Sequence, residues 1–220
     1  SVEHGEIVEH EVRIVESAYP VLLPDDISEA TIFVVGAGSG GCLSLQQLTK
    51  LGLSAITLAD HDVFEERNLS RHLANEMAIG QNKAAYLADY FASRTRTILT
   101  PLDVAITPAA TGDLDRLVAR HTFSVNLTGH PPTSILLSRS CAKQQKICIH
   151  AAAFARGSGG FVFLQTPDGP CYECLYDLQR QQASDDPATL EALANQYGYT
   201  DADLQAHQGL WADVNVIASV

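Results

Sequence analysis

The chain has 220 residues, 46% of them hydrophobic, and a formal charge of −12. That length suits one α/β domain with a full core and leaves little room for two. So acidic a chain lacks the basic footprint of a nucleic-acid binder, and no apolar run reaches the length of a membrane-spanning helix. The first residues, SVEHGEIVEH, have neither the basic nor the apolar region of a signal peptide, which points to a cytoplasmic protein. With no Met at the start and VNVIASV at the end, the sequence reads as an excised domain.

Residues 1–30 are mixed and acidic, with an amphipathic stretch near 7–17, and are expected to form an N-terminal arm or helix. Regular alternation starts at Thr31. TIFVV is short, β-branched and wholly apolar, as a strand buried on both faces of a parallel sheet requires. GAGSGG follows, then a helical stripe of Cys42, Leu45, Leu48 and Leu51 closed by Gly52. AITLAD is the second strand, residues 82–93 a helix, and TILTPL the third strand. GDLDRLVAR is expected to be a helix with a capping Asp, and FSVNL the fourth strand. PTSILLSRSCAKQQ reads as a helix with Pro in its first turn; ICIHAAA and GFVFLQ complete six strands. Such alternation predicts an α/β fold, a doubly wound and mainly parallel Rossmann-like sheet with flanking helices and a C-terminal antiparallel extension. Residues 177–210, rich in Gln, Asp and Ala, are expected to be a crossover-like excursion.

Gly36, Gly38 and Gly41 satisfy G-x-G-x-x-G directly between a strand and a helix. The first glycine permits the tight turn, the second lets a phosphate approach the backbone, and the third allows helix and strand to pack closely. The N-terminus of the helix adds donors and partial positive charge. Asp60 ends the second strand about 20 residues beyond the last glycine, where an acid reaches a ribose hydroxyl. Asp62, Asn68, Arg71 and then Lys83 follow. On a chain with only 14 basic residues, an Arg and a Lys beside one nucleotide crevice suit a triphosphate whose leaving oxygens gain charge. His61, His72 and His130 are near the site in sequence and receive no catalytic role.

The stretch from VVGAGSGG to NLSRH, followed by IGQNK, resembles the ubiquitin-activating enzymes and their bacterial relatives ThiF, MoeB and HesA. GPCYECL resembles that family's first zinc-binding Cys pair, and GLWADVNVIASV the entry to a further core helix. The resemblance spans about Ile32 to Val220, making residues 31–220 an ATP-binding adenylation domain incomplete at its C-terminus. It implies that MgATP activates the C-terminal carboxylate of a ubiquitin-like or sulfur-carrier protein, or of a peptide, with release of pyrophosphate. It also implies that Gly36, Gly38 and Gly41 form the phosphate turn and that Asp60 holds the ribose. Asn68, Arg71 and Lys83 would contact the phosphates, with Asp62 beside the ribose or behind it. A homodimer is the expected assembly.

Two features depart from the family pattern. Asn126 and Gly129 stand in VNLTGH where the family places acids in a D-x-x-D pattern to hold Mg²⁺, leaving Asn126 or His130 as weak substitutes or the ion to ATP alone. Cys171 and Cys174 have the C-x-x-C spacing of half a structural zinc site, or of a reduced pair or redox dithiol, and no second C-x-x-C follows. Cys42, Cys141 and Cys148 are expected to be buried small hydrophobes. Arg13 is read as a surface charge. The alternatives are a nucleotide-binding scaffold half that recruits a ubiquitin-like partner without activating it, and an NAD-dependent oxidoreductase on the same glycine turn.

Overall fold

A computed structural model describes residues 27–153 and 160–176, together with a two-stranded ribbon in which Val2–Glu3 pairs with Glu6–Ile7. The arm or helix expected over 1–30 therefore lies mostly outside the described residues, as do the excursion at 177–210, Arg13 and the C-terminal GLWADVNVIASV.

The six predicted strands form one sheet. They are β1 (Thr31–Val35), β2 (Ala55–Ala59), β3 (Ile98–Leu102), β4 (Phe123–Asn126), β5 (Ile147–Ala153) and β6 (Gly160–Gln165). Their spatial order is β3-β2-β1-β4-β5-β6, parallel from β3 to β5, with β6 antiparallel to β5. Pro101, which cannot donate to a ladder, is tolerated because β3 is an edge strand.

Alternation along β1 divides the core. Ile32 and Val34 face Leu45 of α1 (Ser39–Leu48) and Leu87 and Phe91 of α2 (Lys83–Ala92). Phe33 and Val35 face the other way, onto Leu114 and Val118 of α3 (Thr111–Arg120) and Leu137 of α4 (Pro131–Lys143). Helices therefore cover both faces, and the chain reverses its direction of travel across the sheet between β1 and β4. A crevice opens at that reversal, outside the carboxyl ends of the strands.

Two local expectations are corrected. α1 ends at Leu48, a turn earlier than the apolar stripe suggested, and Leu51 is 51% exposed. Its last residues instead form a turn that ends at Gly52, whose φ is +77°. At the start of α3, Asp113 does not cap. It lies inside the first turn and pairs with Arg116, while Ala110 occupies the cap position. Cys42, Cys141 and Cys148 are buried, as expected.

Two neighbouring glycines should respond oppositely to alanine. A Cβ on Gly41 would come within 2.2 Å of the Gly36 carbonyl oxygen, whereas one on Gly40 would meet nothing within 4 Å. Gly41→Ala must push α1 off the turn and should cost a few kcal/mol, on the scale of overpacking at about 1–3 kcal/mol. Gly40→Ala, in a helical turn, should be neutral or stabilising by up to about 1 kcal/mol. Urea unfolding of the ligand-free variants measures both.

Candidate nucleotide-binding site

The crevice floor is the turn between β1 and α1. Gly36 has φ +105°, and a Cβ there would lie 2.8–2.9 Å from the backbone of Leu127 and Thr128, so the turn is pressed against the segment after β4. Gly38 caps α1 with extended backbone, and open space surrounds the place where its Cβ would be. The backbone at Gly38 is thus uncrowded, beside the N–H groups of the first helical turn, the kind of place where a helix N-terminus receives an anion. The three glycines thus lie together at the strand–helix turn.

Asp60 braces this turn from β2. One carboxylate oxygen accepts the Ala37 N–H at 2.6 Å and the other the Asp62 N–H at 2.8 Å. Each oxygen retains acceptor capacity for a further donor such as a ribose hydroxyl. On the opposite side, His72 contacts the Ala37 carbonyl oxygen through Nε2 at 2.8 Å, and its Nδ1 accepts the Ala74 N–H at 3.3 Å. These partners select the neutral tautomer with the proton on Nε2. Burial holds the His72 pKa down at about 4; Lys83 and Arg71 add to the effect, against the Ala37 hydrogen bond. Arg71 is thus the chain neighbour of a residue bonded to the glycine turn.

Asn82 ties this part of the site together. Its amide donates to the carbonyl oxygens of Asp60 and Asp62 at 3.0 and 3.3 Å, and its side-chain oxygen caps α2 by accepting the Ala85 N–H. That brings Lys83, the first residue of α2, onto Asp62 at 2.9 Å. Lys83 is only 8% exposed, an unusual place for an ammonium. Partial burial of the Asp62 carboxyl opposes ionisation, but Lys83, His61 and Arg67 outweigh it and keep its pKa below the usual value. Asp62 is thus the partner of Lys83. Arg71 is half-buried at the end of a short 3-10 helix, Glu66–Arg71. Asn68 lies in that helix, where its side-chain oxygen accepts the Glu65 N–H at 3.0 Å; its amide N–H groups are the part suited to a phosphate.

The segment after β4 does not fit a divalent cation. The Asn126 amide donates to Ser134 Oγ at 2.7 Å and to His150 Nδ1 at 3.0 Å. Its oxygen accepts from the Thr128 hydroxyl at 2.9 Å and the Thr128 N–H at 3.3 Å. Asn126, 2% exposed, is thereby committed to the protein, and Gly129 has no side chain to offer. His130 occupies the N-cap position of α4 without a side-chain capping bond, its Nδ1 3.0 Å from the Thr133 hydroxyl. The weak metal role considered for Asn126 is therefore corrected: it is a buried hydrogen-bonding hub.

The hub extends to the cysteine pair. His150 Nε2–H points to Gln165 Oε1 at 3.3 Å, which also accepts the Ser138 hydroxyl at 2.6 Å. Ser138 Oγ in turn accepts the Tyr172 N–H at 3.0 Å, between the two cysteines. Cys171 and Cys174 bring their sulfurs to 3.2 Å at a helical turn over 172–176. Beside them Glu173 makes a two-point ion pair with Arg139 of α4. Among the described residues no third Cys, His, Asp or Glu joins the two sulfurs.

The sequence reading missed His72, His150 and Gln165 as parts of this framework. A polar residue inside the apolar runs ICIHAAA and GFVFLQ was a usable signal for the last two; for His72 nothing in the spacing revealed what it would touch.

Comparison with known proteins identifies the family. The ThiF family model matches residues 15–206. The chain belongs to the ThiF family. Among relatives, the adenylyltransferase and sulfurtransferase MOCS3 of Arabidopsis thaliana is 26% identical over 180 residues, covering 80% of this chain and 38% of that protein. The molybdopterin-synthase adenylyltransferase of Salmonella typhimurium is 28% identical over 159 residues, covering 71% of this chain and 63% of that protein. The chain thus spans about a third to under two thirds of the length of these relatives. The fold matches E. coli MccB, in a crystal structure with AMPCPP and MccA, at a TM-score of 0.67 and 21% identity, over 92% of this chain and 56% of that one. The relatives' names speak of adenylyl transfer, and none of them of a nicotinamide oxidoreductase.

Burial of two neutral imidazoles gives this ThiF domain a pH signature. His72 and His150 are both held down to about 4, chiefly by desolvation, whereas the unfolded chain protonates histidine near 6.5. Between those values the unfolded state binds more protons, so stability is fully present above about pH 6.5 and is lost as pH falls towards 4. Urea unfolding should show a loss of a few kcal/mol between pH 7 and 4.5, a window above most of the carboxylate titration. A flat profile there would contradict the neutral assignment.

Proposed function

We propose that this ThiF domain binds ATP above the glycine turn and transfers its adenylyl group to the C-terminal carboxylate of a ubiquitin-like or sulfur-carrier protein, or of a peptide. The observation that carries the reading is the open backbone at Gly38 with a buried Lys83 and a half-buried Arg71 near the same turn. The names of the MOCS3 and Salmonella relatives support adenylyl transfer, and the crystal structures of MccB with ATP and with MccA support a nucleotide and a peptide-like acceptor in this fold.

Each residue then has a definable task. The N–H groups around Gly38 and the start of α1 receive the phosphates. Lys83 supplies a compact charge, Arg71 a forked one, and Asn68 its amide N–H groups. Asp60 uses its remaining acceptor capacity on the ribose. The acceptor carboxylate attacks the α-phosphorus as the bond to pyrophosphate breaks, so positioning and electrostatics suffice and no protein nucleophile is required. The Asn126 side chain is engaged with protein groups and Gly129 has none, so Mg²⁺ would be held by the phosphates of the ATP it accompanies. The free thiols suit a reducing, cytoplasmic compartment. Cys171 and Cys174 supply two of the four ligands of a structural zinc site by their C-x-x-C spacing; their sulfurs, 3.2 Å apart, would open to about 3.8 Å on a tetrahedral zinc with Zn–S bonds of about 2.3 Å.

A second reading is favoured by the same strand: a nucleotide-binding half that recruits its partner without turnover. ATP–pyrophosphate exchange in the presence of the partner protein separates the two. Activity is expected, and Lys83→Ala or Arg71→Ala should lower it by about 100-fold or more, the scale for removing a charge-stabilising donor. Tight ATP binding with no exchange would select the scaffold.

A further inference from the structure

We infer that His72 is a positioning residue for the phosphate turn: by holding the Ala37 carbonyl inward it aims the Gly38 N–H into the crevice. This rests on the reading of the turn as a phosphate site, and goes beyond it by naming what sets the donor's direction.

Ala37, the residue between Gly36 and Gly38, is held at both ends. Its N–H goes to Asp60 Oδ2 at 2.6 Å and its carbonyl oxygen to His72 Nε2 at 2.8 Å. A trans peptide is planar, so its C=O and the following N–H point in opposite directions. With the Ala37 oxygen turned towards a histidine that is only 6% exposed, the Gly38 N–H of the same peptide unit points the opposite way, away from that histidine. A Cβ built on Gly38 would also meet nothing within 4 Å, so the backbone there is uncrowded. Rotating this one peptide would exchange a donor for a carbonyl oxygen, which repels phosphate.

The imidazole is itself pinned. The Ala74 N–H occupies Nδ1, leaving Nε2 as the donor, and Phe64 meets the ring edge-on with centroids 4.5 Å apart. Phe64 is anchored in turn, with its N–H on the Gln81 carbonyl and its carbonyl accepting the Gly80 N–H. The segment carrying Arg71 and the approach to α2 therefore hold the same ring that orients the turn. A glutamine also presents a terminal N–H donor; leucine or methionine has none.

Calorimetric titration of ATP and of adenosine into the wild-type domain, His72→Gln and His72→Leu tests the assignment. His72→Leu should weaken ATP by about tenfold, the scale of one well-placed hydrogen bond. Adenosine affinity should be unchanged, and His72→Gln should recover most of the loss. Equal loss for both ligands would mean that His72 only supports the fold. Unchanged ATP affinity in His72→Leu would overturn the inference while leaving the nucleotide reading intact, and a wild-type domain that binds no ATP would overturn both. If His72→Leu does not fold, the amide resonances of the wild-type protein decide. On adding ATP the Gly38 N–H should shift strongly and the Ala37 N–H, held by Asp60, much less; the reverse order sinks the proposal.

Discussion

Close approach of backbones at the glycine turn is the constraint on which the site depends. Gly36 lies against Leu127 and Thr128, and Gly41 against the Gly36 carbonyl, with no room for a Cβ at either. Those contacts bring the end of β1, the start of α1 and the segment after β4 together at the point where the sheet reverses direction. The crevice is where it is because three stretches of main chain can meet there without side chains.

Charge is handled in the same economical way. An acidic protein places one lysine in a largely buried position and satisfies it with Asp62, while Asn82 holds the loop and the helix that carry them. An ammonium held by an exposed carboxylate is available to an anionic ligand at less desolvation cost than a free one, because part of its hydration has already been exchanged for protein. Neutral histidines serve alongside it. His72 and His150 are buried, uncharged and hydrogen-bonded through both ring nitrogens, so they orient backbone and side chains without adding charge.

At the end of β4 one side chain organises a network. At Asn126 an amide can donate twice and accept twice, and all of that capacity is spent on Ser134, His150 and Thr128. The result is a polar seam from β4 through β5 and β6 to α4 and the cysteine turn. A carboxylate at the same place has no donors for Ser134 or His150.

Strand identity, the doubly wound arrangement, the glycine turn and the order of Asp60, Arg71 and Lys83 were all legible in the sequence by itself. Each follows from short-range pattern: wholly apolar runs for buried strands, glycines where a backbone must turn, and a fixed distance from turn to acid. What only the tertiary structure decided is which side chains become partners across the fold. Asp62 on Lys83, His72 on Ala37, and Asn126 through His150 to Gln165 join residues 21, 35, 24 and 15 positions apart. Hydrogen bonds depend on distances of about 3 Å and on direction, and neither is carried by the periodicity of a chain. The same limit explains why α1 stops before Leu51 and why Asp113 does not cap, since both turn on where a neighbouring backbone lies.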